Sequence, residues 1–258
     1  MRFIYLVLSL ILFISCGYAT ETHTWVPDND LWQEDNINFV SNIDEGLFGL
    51  IIDIGKELYE PTAKDWNETL SISKSWDSPI VNASAWRNGA GNTEIMMYGG
   101  LARREEVIPQ GFALVLCHEL NHLYGGEPYI HTYLKMAAEG QSDWMGASWC
   151  LKNIVEKLKS TYGIETTPYM QQMCNDDPVC LQQLAGGNSL GKLLAELGGE
   201  SVPDYETPDP SIVKKTNTSY PKTTQCRLDS YHNGALGLDR PLCWYKPPEK
   251  KKKEPKDN

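Results

Sequence analysis

Gly111-Phe112-Ala113-Leu114-Val115-Leu116-Cys117-His118-Glu119-Leu120-Asn121-His122-Leu123-Tyr124-Gly125-Gly126 is the stretch on which the reading of this chain turns. Its apolar lead-in, Gly111 to Cys117, predicts a buried helix, and Gly125-Gly126 supplies the glycine stop that often follows a last helical turn. Inside the helix lies the string HExxH, His118 to His122. Four residues advance a helix by just over one turn, so both imidazoles share a face. They can then close on one metal ion, with Glu119 beside them as a general base. A surface helix carrying two His and a Glu by accident is the plainer alternative. The lead-in argues against it, because burying an unliganded imidazole pair is costly.

The third ligand sets the class of site. One known continuation reads HExxHxxGxxH, and the chain keeps its glycine at Gly125 but has Pro128 where the last His should stand. His131 lies three residues too far on. A better candidate is Ala137-Ala138-Glu139-Gly140-Gln141-Ser142-Asp143-Trp144, where a helix would set Glu139 and Asp143 one turn apart on a shared face. Glu139 would complete a two-His, one-Glu zinc site with a fourth position open to water. Asp143 would accept the free ring N–H of a ligand His and fix its tautomer. The competing reading of Glu139 and Asp143 is a solvated acidic face.

With these residues in place, the chain resembles the gluzincin zinc metalloproteases. Val81-Asn82-Ala83-Ser84-Ala85 and Thr93-Glu94-Ile95-Met96-Met97-Tyr98-Gly99-Gly100-Leu101 are similar to the two strands that precede the active helix in the prenyl-protein and heat-shock membrane endopeptidase families. The likeness covers roughly residues 80–152. The chain departs from those families in lacking their transmembrane helices and in carrying Asn121 where Gly is usual. It resembles more closely small exported bacterial proteins of the same core, on Cys117-His118-Glu119, on Glu139-Gly140-Gln141-Ser142-Asp143 and on Gln225-Cys226-Arg227-Leu228-Asp229. The resemblance implies an α+β, zincin-like catalytic domain: a small antiparallel or mixed sheet packed on the HExxH helix and a Glu-bearing helix. It also implies that Ala83 to Trp86, with Asn82 before it, is an edge strand along which an extended substrate pairs. An additional donor usually stabilises the oxyanion in such enzymes; His131, Tyr231 and His232 are the candidates, each also readable as a plain surface residue.

Export is the second statement of the sequence. Met1-Arg2 is a minimal basic start, and Phe3 to Ile14 is apolar but too short for a retained membrane span. Gly17-Tyr18-Ala19 suits ordinary signal cleavage, which would remove residues 1–19. Phe13-Ile14-Ser15-Cys16-Gly17 resembles a bacterial lipoprotein box, which would make Cys16 a lipidated terminus and the one tie to a membrane. The six other cysteines are an even set, as in exported disulfide proteins. Cys174 with Cys180, Cys226 with Cys243 and Cys117 with Cys150 is one of fifteen connectivities they allow. Without a CxxC pair, a second zinc held by thiols is not expected.

The body, residues 20–200, reads as one catalytic domain. Ile37 to Tyr59 has apolar residues at near-helical spacing with Pro61 after it, predicting a long helix behind the sheet. Glu68 to Trp86 alternates as strand, broken at Asp77-Ser78-Pro79 and followed by Asn88-Gly89. Trp149 to Leu158 is expected to prolong the Glu139 helix, Gln182 to Leu197 to form a helix ending at Gly198-Gly199, and Arg227 to Leu236 a last one. Ser201 to Pro221 is rich in Pro, Thr, Ser and Asp, so residues 201–245 read as a loop-rich, disulfide-stapled segment wrapping the domain. Residues 246–258 form a basic tail expected to be disordered.

The formal net charge is −11, and the body without its basic tail is more acidic still. Such a body repels nucleic acid, and no phosphate-binding glycine loop is present. The expectation is therefore an exported, monomeric bacterial zinc peptidase acting on proteins or peptides. The rival is a non-catalytic or latent zinc-binding protein on the same scaffold.

Overall fold

Helix α3, Pro109–Tyr124, is the hub, and every residue from Pro109 to Leu123 is buried. A helix buried along its length must be covered on all sides. The computed structural model, which describes residues 22–35, 41–88, 90–159 and 164–249, shows what covers it. Helix α1 (Glu45–Asp65), strand β3 (Ala83–Arg87), helix α4 (Glu139–Met145) and helix α7 (Pro178–Gly198) all pack against it. Phe48 of α1 meets Phe112 of α3 with ring centroids 5.1 Å apart.

Helix α1 buries Phe48, Ile51, Ile52, Ile54, Gly55, Tyr59 and Ala63 on one side, while Leu50, which the apolar spacing also includes, is exposed. Its ends differ from those expected. It starts at Glu45 because the Asp44 side chain caps it, accepting from Leu47 N at 2.7 Å. It runs through Pro61 to Asp65 because Pro61 faces solvent, where water can serve the carbonyl that proline leaves unpaired. Residues 36–40, where the expected helix began, lie outside the described residues, as do Phe3 to Ile14, Cys16, Gly17 to Ala19 and residues 250–258.

The sheet is small and mixed, in the order β1 (His23–Thr24), β3, β4 (Asn92–Tyr98), β2 (Thr69–Ser75). Strand β3 is antiparallel to both neighbours, and β2 is parallel to β4. Alternation is clean in β4, whose Thr93, Ile95 and Met97 point into the core. A one-turn helix α2 (Gly99–Ala102) follows it. After α3 comes a short hairpin, β5 (Tyr129–His131) and β6 (Met136–Ala137), which hands the chain to α4. Helix α4 passes through a π-helical segment, Gly146–Cys150, into α5 (Leu151–Leu158), so one path carries Glu139 through to Leu158. A Cβ on Gly146 would sit 3.1 Å from His118 N, so glycine there lets this path lie against the backbone of α3.

Helix α6 (Pro168–Cys174) has no counterpart in the sequence reading. Helix α7 starts earlier than expected, capped by Asp177, and ends at Gly199 with φ 61°. Residues 201–221 contain neither helix nor strand, and helix α8 (Thr224–Ala235) closes the order. Three disulfides join Cys117 to Cys150, Cys174 to Cys180 and Cys226 to Cys243. They fit an oxidising, exported environment. No helix among the described residues is long and apolar enough to cross a membrane. The first disulfide ties α3 to the π segment within the core. Replacing Cys117 and Cys150 together by Ala is expected to cost about 2–5 kcal/mol, read from the urea midpoint.

Candidate metal centre

Helix α3 delivers His118 and His122 from one face, with ring centroids 4.5 Å apart. The first residue of α4 delivers Glu139 against them. Glu139 Oε2 lies 3.3 Å from His118 Nε2 and 3.6 Å from His122 Nε2, in a geometry that makes no hydrogen bond. The three ligand atoms fall within 4.8 Å of one another and all three residues are buried, so the group can hold a metal ion.

The outer side of each ring explains the inner one. His118 Nδ1 lies 2.7 Å from Asp143 Oδ1, and His122 Nδ1 lies 2.8 Å from Ala137 O. Both acceptors are oxygens, so each ring donates outward from Nδ1, and in the neutral imidazole that leaves the Nε2 lone pair turned inward. Two inward lone pairs facing a carboxylate oxygen are electrostatically unstable without a cation between them. The donor set, two imidazoles and a carboxylate, suits zinc. Strand β6 has two duties here: its Ala137 carbonyl orients His122, and its end places Glu139 at the start of α4.

Asp143 is held on two sides. Besides His118, it takes a two-pronged ion pair from Arg227, with Nε to Oδ2 at 2.9 Å and one terminal nitrogen to Oδ1 at 2.8 Å. Burial works against its charge, but the Arg227 guanidinium, then His118, hold its carboxyl below the usual range. Glu119 is different. Burial pushes its carboxyl up to about 8, and neither of its oxygens has a hydrogen-bond partner among the described residues. Asp143→Asn is expected to weaken divalent binding about 10–100-fold, measured by competition with a chelating dye.

The remaining expected site residues fall in different places. Asn121, where the resemblance led to Gly, sends its amide to Tyr59 Oη at 3.0 Å and to Cys117 O at 2.8 Å. Tyr231 is buried behind the site, accepting the Trp25 indole N–H at 3.4 Å, and His232 bonds Tyr169 at 3.2 Å. His131, on β5, is half-buried and lies against the ring of His23 at 6.0 Å. The edge expected to take a substrate at Asn82, Ala83, Ser84 and Ala85 is occupied in this structure by the chain itself. His23 pairs with Ala85, Thr24 with Ser84, and the Asn82 side chain exchanges bonds with the backbone of Val26.

Sequence reasoning did not find the Ala137 carbonyl, β1, or Tyr220, whose hydroxyl bonds Thr24 O at 2.7 Å. A two-residue strand has no periodicity to detect, and a backbone acceptor has no residue signature. Arg227 carried a signal only through its place in Gln225-Cys226-Arg227-Leu228-Asp229. Comparison with protein-family models, characterised proteins and solved structures finds no match to this chain.

Proposed function

We propose that this chain is a zinc-dependent metallopeptidase of zincin type, acting on exported proteins or peptides. The observation that carries the reading is the pair of buried Nε2 atoms that face Glu139 without a hydrogen bond, with the unpartnered Glu119 carboxyl group on the same helical turn. His118, His122 and Glu139 would hold the ion. Bound there, zinc would lower the pKa of a water towards about 7 and polarise a carbonyl. Glu119 takes the proton from the attacking water and passes it to the leaving amine. Asp143 and the Ala137 carbonyl keep both imidazoles in the ligating tautomer, and Arg227 keeps Asp143 ionised.

Hydrolysis of casein by the zinc-supplemented protein tests this reading. Activity is expected to disappear with 1,10-phenanthroline and to return with added zinc; activity indifferent to the chelator would contradict it. One observation favours a latent form of the same enzyme: His118, Glu119 and His122 are wholly buried, and Glu139 is 2 % exposed. Export, with a signal segment ending near residue 19 or a lipid on Cys16, belongs to the same proposal.

A further inference from the structure

A peptide can reach His118, Glu119 and His122 only if something moves, since all three are closed off from solvent. The segment His23–Thr24 lies beside this closed group. It runs antiparallel along Ala85 and Ser84 of β3, the backbone-pairing arrangement by which extended peptides add to a sheet edge. Its His23 ring lies against the His122 ring, with centroids 5.6 Å apart. The strand therefore passes beside a metal-ligand imidazole, where an extended substrate would pass.

This segment is attached on both sides of Thr24. Downstream it is fixed: Trp25 is fully buried, its N donates to Ala83 O at 3.1 Å, and its carbonyl takes an Arg227 N–H at 2.8 Å. Upstream of Trp25 the pairing is two residues long, and His23 and Thr24 are only half-buried. Thr24 is clasped by the Tyr220 side chain, whose hydroxyl meets Thr24 O at 2.7 Å and Thr24 Oγ1 at 3.0 Å. Burial, with the Glu139 carboxylate nearby, pushes that hydroxyl up to about 12, so it stays protonated and donating.

We infer that His23–Thr24 is an intramolecular strap holding the substrate's place on β3, hinged at Trp25 and latched by Tyr220, which must swing away before an extended peptide can pair with Ser84 and Ala85. This rests on the peptidase reading for its purpose, but not for its geometry. A peptide competing with the strap binds with an affinity reduced by the fraction of molecules that are open. Loosening the strap should raise binding and hydrolysis together.

Two full-length variants test this. His23→Pro removes an N–H from the two-residue ladder and the ring beside His122. Tyr220→Phe removes the latch and leaves the ladder intact. Each is made with Glu119 present and also in the Glu119→Gln background, where peptides can bind without being cut. The readouts are fluorescence polarisation of a fluorescein-labelled casein digest and hydrolysis of casein. His23→Pro is expected to bind the labelled digest at least about tenfold more tightly than its parent, with Tyr220→Phe moving the same way by less. Equal binding by parent and variants, or none by any, overturns the strap. Should His23→Pro fail to fold by circular dichroism, Tyr220→Phe decides alone. Tighter binding with no hydrolysis by any Glu119-containing protein upholds the strap and sinks the peptidase reading; equal hydrolysis and equal binding do the reverse.

Discussion

Glu119→Gln is expected to lower casein hydrolysis by about 10²–10⁴-fold, the usual contribution of a positioned general base. The amide keeps the shape of the side chain but cannot take a proton from water. His118, His122 and Glu139 are untouched, so the content of divalent ion should be that of the parent. Stability should not fall either. Burial pushes the Glu119 carboxyl up to about 8, so the protein alone bears a cost for ionising it near neutral pH that Gln does not incur. A bound ion would offset that cost by favouring the charged form, the form that would act as base. Hydrolysis undiminished in the variant would remove Glu119 from the mechanism.

Arg227→Leu should bring the largest loss of stability among single substitutions at the centre. Arg227 and Asp143 are both buried and joined by two short bonds, and Arg227 also serves the carbonyl of Trp25. Removing the guanidinium leaves a buried carboxylate with His118 as its remaining partner. Breaking a buried pair in this way typically costs about 3–5 kcal/mol. Replacing Arg227 and Asp143 together by Leu should cost less than the single change, because no charge is stranded. Urea unfolding gives the energies, and dye competition should show divalent affinity about 10–100-fold weaker in Arg227→Leu. A loss under about 1 kcal/mol would mean that water reaches Asp143 and shields it.

The sequence carried the centre better than its surroundings. His118 and His122 were legible because helical periodicity alone puts them on one face, and Glu139 with Asp143 because their spacing is one turn. The three disulfides match the pairing singled out from fifteen, two of them joining cysteines close in sequence. Helix α1 was legible in its middle, where apolar residues repeat, and not at its ends. There a single cap at Asp44 and the solvent exposure of Pro61 decide the boundary. Strand β1 left no trace, because two residues show no alternation. Its consequence is large, since it fills the edge of β3 at Ala83 to Ala85. The hairpin of β5 and β6 was equally silent, although its Ala137 carbonyl orients His122. Tertiary pairing, not local pattern, made these elements.

Metal analysis of the purified full-length chain by inductively coupled plasma mass spectrometry is the most direct test of the central claim, that His118, His122 and Glu139 share one ion. One divalent ion per chain, zinc, is the predicted result, retained by Glu119→Gln and lost from His122→Ala and from Glu139→Ala. A parent chain that keeps no divalent ion, or a Glu139→Ala chain that keeps it as tightly as the parent, would contradict the claim.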